Sequence, residues 1–307
     1  MTPLAIAFTP NYIVPAATML KSLLNASTGS FRIICLVTEE IPEEMLQLLI
    51  KMGQTRLTIE CISLKGRLDG YYTDARYSEA ASFRLLLPEL LPDYDKILYL
   101  DCDMIIRQDM GKLYRETELG KNCLAAVFEA PIDSQANRIE ALGCTPGRYF
   151  NSGVLLMNLK LMREESVSEQ LLKSCEKDYM EFPDQDALNQ VCQGRVLSLS
   201  PAYNSIRTFF LPQYKADFCK IYSERIWKVV QKEGNIHYTG GKPWDIFSVK
   251  FGEWWEVFYS LPKGLRALLN TRPLIKSISL LYRLRIGKII DLVFLVLRTI
   301  KSLPILK

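Results

Sequence analysis

The chain has 307 residues, 49% of them hydrophobic and 23% charged, with a formal net charge of +4. That length permits one large domain or two small ones, and the composition excludes wholesale disorder, a collagen-like repeat and a low-complexity scaffold. The positive charge sits at one end: Lys263 to Lys307 carries ten Lys/Arg against one acid, Asp291, whereas residues 1–262 carry 28 basic and 33 acidic side chains. A nucleic-acid enzyme spreads basic residues through the body of its fold, so nucleic acid is not the expected partner. An acidic surface would meet the last segment only.

The opening Met1-Thr2-Pro3-Leu4-Ala5 has no basic stretch ahead of its apolar run, which argues against a secretory signal. Residues 4–8 are a short buried-strand candidate, closed by Thr9-Pro10-Asn11. A helical pattern follows through Ala16, Ala17, Leu20, Leu23 and Leu24. Phe31–Val37 reads as a second strand, Pro42-Glu43-Glu44 opens a helix through Ile50, and Leu57–Ile62 is a third strand. This rhythm predicts a parallel sheet covered on both faces. Ser82 to Pro92 reads as a helix stopped by prolines, and Asp95–Leu100 as a strand running straight into Asp101-Cys102-Asp103. Further on come an apolar stretch at 123–128, the segment Tyr149–Asn158, a helix around 164–180, a helix after Pro183, and a last strand at Asn235–Gly240. No linker divides the first 255 residues, so the chain reads as one α/β domain, 1–255, and a basic amphipathic helical segment, 256–307. Eight cysteines without a CxxC pair or metal-finger spacing read as reduced, mostly buried thiols, and point to the cytoplasm.

A lone Asp-x-Asp is weak evidence, since fourteen Asp in this length give roughly 0.6 such pairs by chance. Three occur, and context separates them. Asp101 and Asp103 leave an apolar strand, and at i and i+2 on extended backbone they share a face. Such a pair repels unless a cation sits between. Hard oxygen ligands suit Mg²⁺ or Mn²⁺, and the competing reading is a solvated strand-to-turn pair. His237 is the only histidine and precedes Gly240-Gly241-Lys242, a combination suited to phosphate. An imidazole beside two carboxylates would shift the preferred metal towards Mn²⁺; alone, it is as readily structural. Asp184-Gln185-Asp186 either caps a helix or meets hydroxyls of a polar ligand. Asn151-Ser152-Gly153 is a strand-entry turn or a sugar-contacting loop. Arg84, on an otherwise apolar helix, requires an anionic partner.

Four segments together, Leu98-Tyr-Leu-Asp-Cys-Asp103, Phe150-Asn-Ser-Gly-Val154, Asp184-Gln-Asp-Ala-Leu-Asn189 and His237-Tyr-Thr-Gly-Gly-Lys-Pro-Trp244, resemble glycosyltransferase family 8 in order and approximate spacing. The resemblance covers about residues 4–250. It implies the GT-A fold, a Rossmann-like mixed sheet flanked by helices that binds a nucleotide sugar, and retaining transfer of galactose or glucose from a UDP-hexose. It implies Mn²⁺, with Mg²⁺ as the alternative, held by Asp101, Asp103 and His237. Asn11 and Tyr12 resemble the positions that hold uracil, and Arg84 the arginine on the donor sugar. Asn151 and Asp184 match sugar-hydroxyl contacts, Gln185 the residue beneath the anomeric carbon, and Gly240 and Lys242 the diphosphate clamp. Ala7, Cys102 and Ser152 complete the donor contacts that the resemblance implies. The implied acceptor is a glycan, lipid-linked or glycoprotein hydroxyl. Two rivals stay open: a UDP-sugar-binding protein of the same fold, without turnover, at a membrane surface, and a nucleotidyltransferase, although residues 8–15 lack the Gly-rich basic loop the latter needs.

The tail's longest apolar run, Ile289–Leu297, has nine residues and is broken by Asp291, too short for a membrane span of about twenty. On a helical wheel Arg272, Lys276, Arg283, Arg298 and Lys301 fall on one side, and Leu274, Ile278, Leu281, Ile289, Leu292 and Val296 on the other. This pattern predicts an interfacial helix on anionic lipid, peripheral on the inner face of the plasma membrane. The alternative is a helical pair packed on the domain or on the second copy of a homodimer.

Overall fold

The computed structural model describes residues 1–69, 78–175, 180–284 and 286–287. A seven-stranded mixed sheet runs through it in the order β3-β2-β1-β4-β7-β6-β8. Its strands are β1 (Thr2–Phe8), β2 (Phe31–Val37), β3 (Leu57–Ser63), β4 (Ile97–Leu100), β6 (Leu124–Phe128), β7 (Phe150–Met157) and β8 (Val196–Ser198). The half β3-β2-β1-β4 is parallel, as the strand–helix alternation predicts. Strand β7 then runs antiparallel between β4 and β6.

Alternation along each central strand builds two cores. Leu4, Ile6, Leu98, Leu100, Val154 and Leu156 enter one core, while Ala5, Ile97, Tyr99, Leu155 and Met157 enter the other. Because helices cover both faces, every residue of β4 and β7 is buried; β4 and Val154–Met157 of β7 read as continuous apolar runs, while Asn151 and Ser152 are buried polar residues at the start of β7. The helix Ile13–Ala26 lies over the first core.

Three elements differ from the sequence reading. Ser82–Pro92 is 3₁₀ turns over Glu79–Leu86 that pass into one helical turn, Leu87–Leu90. The helix expected around 164–180 is two, Leu159–Glu164 and Val167–Ser174, because Ser166 turns left-handed at φ 50°. The last strand shrinks to β10, Ile236–His237, and leaves the main sheet. It pairs antiparallel with β5 (Met104–Ile105) and parallel with β9 (Ser205–Ile206). Glycines at 240 and 241 end the extended run, with Gly240 at φ +90°.

Residues 263–283 pack onto the domain. Leu265, in the helix Lys263–Ala267, is fully buried. The helix Pro273–Arg283 buries Ile275, Ser279 and Tyr282 against the helix Phe251–Tyr259. There the Tyr282 and Phe251 rings lie 5.4 Å apart, and Tyr259 Oη and Ser279 Oγ are 2.6 Å apart. Leu274, expected on the apolar side of the wheel, is 70% exposed, because the domain takes the neighbouring face. Among the described residues no helix is long and apolar enough to cross a membrane. Ile289–Leu297, Arg298 and Lys301 lie outside the described residues.

Candidate active site

Two ladders bring Asp101, Asp103 and His237 together. The Asp101 N–H, just past β4, donates to Gly153 O at 2.9 Å. The β5–β10 ladder pairs His237 with Met104, beside Asp103. One ligand atom from each of the three lies within 4.8 Å of the others. Nε2 of His237 is 3.5 Å from Asp101 Oδ2 and 3.3 Å from Asp103 Oδ1. Gly153 is required here, since a Cβ on it would lie 2.2 Å from His237 Cε1. Two hard carboxylate oxygens and an imidazole nitrogen converging on one point fit a divalent cation. The Lys242 ammonium contacts Asp103 and donates to Tyr238 O at 2.8 Å. Burial pushes the Asp103 carboxyl upwards, but Lys242 and His237 outweigh it and hold it well below the usual range.

Beside this cluster, Arg84 is buried, as its apolar flank predicts, and it is paired. It donates to Asp101 Oδ1 at 2.9 Å, to Ser152 O at 2.6 Å, and lies 3.2 Å from Asp184 Oδ2. Its guanidinium also stands 4.4 Å over the Tyr99 ring. Burial opposes its charge, yet Asp101, Tyr99 and Asp184 raise its pKa above the ordinary arginine value. Burial pushes Asp184 upwards, and Arg84 offsets part of that.

The helix Pro183–Val191 carries Asp184, Gln185 and Asp186 in its first turn. Gln185 is fully engaged. Its Oε1 accepts from Asn151 Nδ2 at 3.0 Å and Ser152 N at 3.1 Å, while its Nε2 donates to Tyr149 Oη at 3.0 Å and Glu129 Oε1 at 3.3 Å. Ser152 Oγ donates to Asp184 Oδ2 at 3.1 Å. Asp186 turns away into a closed pair with Arg138 (2.9 Å) and Tyr149, so its cap is structural.

Towards the start of the chain, Tyr12 packs edge-on against Trp244 at 5.6 Å, and burial with the nearby Asp103 and Asp245 charges raises its pKa. Asn11 is exposed beside it and accepts from Thr9 Oγ1. Cys102 Sγ lies 3.7 Å from Ala7 O, which joins the ends of β1 and β4. Gly240 meets no atom within 4 Å of a built Cβ, so its positive φ, and not crowding, calls for glycine.

The sequence reading missed two residues here. Glu129 follows the apolar run of β6 as Asp101 follows β4, and that strand-exit position was the available signal. Burial raises its pKa, with Asn151 and Arg138 offsetting part. Asn204, fully buried, is the residue after the 3₁₀ turn Pro201–Tyr203, and nothing in the sequence marks it.

Comparison with known proteins finds similar chains. The chain is 30% identical over 210 residues to the lipopolysaccharide 1,2-glucosyltransferase of Escherichia coli (66% of this chain, 59% of the relative). It is 29% identical over 262 residues to glycosyltransferase GlyE of Streptococcus pneumoniae (81% and 58%). General stress protein A of Bacillus subtilis matches at 26% over 176 residues (55% and 60%). The chain thus spans about three fifths of the length of these curated relatives. Among solved structures, the galactosyltransferase LgtC, crystallised with donor and acceptor sugar analogues, superposes with a TM-score of 0.71 at 25% identity over 87% of this chain and all of that one. The family model described as glycosyl transferase family 8 matches residues 3–246, so the chain belongs to glycosyltransferase family 8 and has its GT-A fold.

Proposed function

We propose that the chain is a retaining hexosyltransferase that moves galactose or glucose from a UDP-hexose to a glycan, lipid-linked or glycoprotein acceptor, with Mn²⁺ or Mg²⁺. The observation that carries this reading is the convergence of Asp101, Asp103 and His237 within 4.8 Å, flanked by Lys242 and by the Arg84–Asp184 pair. Asp101, Asp103 and His237 would hold the cation, which would supply charge neutralisation for the departing diphosphate. Lys242 adds a second positive charge on the same side. Tyr12, backed by Trp244, offers a ring for stacking on uracil, with Asn11, Ala7 and Cys102 around the base and ribose. Asp184, Asn151, Ser152 and Arg84 orient the hexose hydroxyls. Gln185 lies under the anomeric carbon in this reading, and an amide is a poor nucleophile. A same-face reaction follows: the acceptor oxygen bonds to the anomeric carbon as the carbon–diphosphate bond breaks, and the acceptor proton leaves with a diphosphate oxygen.

A peripheral site of action is part of this proposal, and it would use the described part of the C-terminal segment. Leu274, Leu280, Leu284 and Ile286 are exposed next to exposed Arg272, Lys276 and Arg283. Apolar side chains bordered by cations suit an anionic lipid surface.

A screen of UDP-sugars that follows UDP release, with and without Mn²⁺, tests the proposal. The expected result is Mn²⁺-dependent release from one UDP-hexose, accelerated by an acceptor, with the anomeric configuration kept in the product. Tight UDP binding without hydrolysis or transfer would instead favour the non-catalytic binding protein. A glycosyl-enzyme trapped during turnover would overturn the same-face reaction.

A further inference from the structure

We infer that Asn204 is a positioning residue that fixes which nitrogen of His237 carries a proton, and so leaves Nε2 free for a cation. The inference rests on the metal reading above, and its logic is the direction of hydrogen bonds. A backbone N–H can only donate, and the Gly153 N–H lies 3.0 Å from Asn151 Oδ1. That contact fixes Asn151 with its amide oxygen towards Gly153. The same oxygen lies 2.8 Å from Asn204 Nδ2, so Asn204 must present its NH₂ group there and its own oxygen on the other side. That oxygen lies 2.9 Å from His237 Nδ1. An amide oxygen only accepts, hence Nδ1 keeps its proton.

Nε2 then points at Asp101 Oδ2 and Asp103 Oδ1, 3.5 and 3.3 Å away. A bare nitrogen facing two carboxylates is three acceptors around one point, which only a cation or a proton reconciles. A histidine that binds a metal through one nitrogen needs its other N–H anchored, and that anchor sets both tautomer and ring orientation. Asn204 is fully buried, so water does not compete for the bond. Gly153 contributes twice: its N–H starts the relay, and its missing Cβ leaves room for the imidazole, which a Cβ would approach to 2.7 Å at Nδ1. Asn151 also sends its NH₂ to Gln185 Oε1, so one backbone amide orients both the imidazole and the residue assigned to the sugar.

His237 is the only histidine of the 307 residues, so a long-range ¹H–¹⁵N spectrum of the labelled, metal-free 307-residue chain reports this imidazole alone. The neutral imidazole is expected to carry its proton on Nδ1, and a neutral imidazole with a bare Nδ1 overturns the inference. Asn204→Leu removes the acceptor. It is expected to release Nδ1 into exchange between tautomers and to weaken Mn²⁺ binding, measured by calorimetry with metal alone, by about 10–100-fold. Asn204→Asp keeps an oxygen opposite Nδ1 and is expected to keep the Nδ1 proton, although its second oxygen then faces Asn151 Oδ1 without a donor and costs stability. Unchanged Mn²⁺ affinity in a folded Asn204→Leu variant also overturns the inference. If that variant does not fold, the spectrum of the unmutated chain still decides. A protonated Nδ1 in an unmutated chain that takes up no Mn²⁺ would sink the metal reading and leave the relay standing; Mn²⁺ uptake with a bare Nδ1 would do the reverse.

Discussion

The two ends of the molecule treat charge in opposite ways. Around Asp101 the charges are buried or half-buried and answered: Arg84 meets Asp101 and Asp184, and Asp103 meets Lys242 and His237. Along Pro273–Arg283 the cations point to solvent, and so do Leu274, Leu280 and Leu284. Enclosed charge is costly and persists where chemistry needs it. Exposed leucines among cations are cheap to the fold and mark a surface that something else can cover. Burial, not residue type, separates the charges of the candidate site from those of the C-terminal helix. The helix Pro273–Arg283 has a packed face and an exposed one, because Ile275 and Tyr282 are buried while Leu274 is not.

That double character is the first thing to break. Ending the chain after residue 262 removes the buried Leu265, Ile275 and Tyr282, each worth roughly 1.5–3 kcal/mol. The stability loss is expected to be on the order of 5 kcal/mol, seen as a denaturant midpoint shift relative to a chain ending after residue 287. Equal stability of the two truncations would show that the whole segment is an appendage. Second, Asp103→Asn should lower transfer by about 10³-fold, about 4 kcal/mol of barrier, and abolish Mn²⁺-dependent UDP binding in calorimetry. Retained metal dependence would refute the assigned site.

Third, Arg84→Ala leaves Asp101 and Asp184 without their shared cation, a change that costs about 3–5 kcal/mol when the pair is buried. Because Asp101 is partly exposed, the lower end of that range is expected in thermal melts, with Arg84→Lys recovering part of it. A variant as stable as the parent would mean that water reaches both acids. The smallest effect concerns Glu129. Its carboxyl is raised by burial, so the folded chain holds that proton at a higher pH than the unfolded chain does. Stability from this group is therefore present at low pH and lost as pH rises from the unfolded value of about 4.3 through the folded one. Glu129→Gln should melt slightly higher than the parent at pH 7.5, with the difference closing towards pH 4. The opposite pH trend would show that Glu129 gains more from its neighbours than it loses to burial.

Local pattern made much of this legible. Near-continuous apolar runs in β1, β4 and the second half of β7 mark strands buried on both faces, and the strand-exit position marks Asp101 and Asp103 as a pair, although a bend at 102–103 and not extended backbone brings them together. Asp184 and Gln185 lie in the first turn of a helix that Pro183 begins. Such features depend on neighbours a few residues away, so the chain order contains them. Tertiary structure alone decided the partners. Lys242 and Asp103 are 139 residues apart in sequence and touch because β10 leaves the main sheet to pair with β5. Arg84 advertised a need for an anion but not which one. Asn204, uncharged and in a turn, carries no periodic or compositional mark, because its role lies wholly in the direction of two hydrogen bonds across the fold. A sequence records which groups a chain owns; only the closed fold fixes which donor faces which acceptor, and in a buried site that direction is what sets the chemistry.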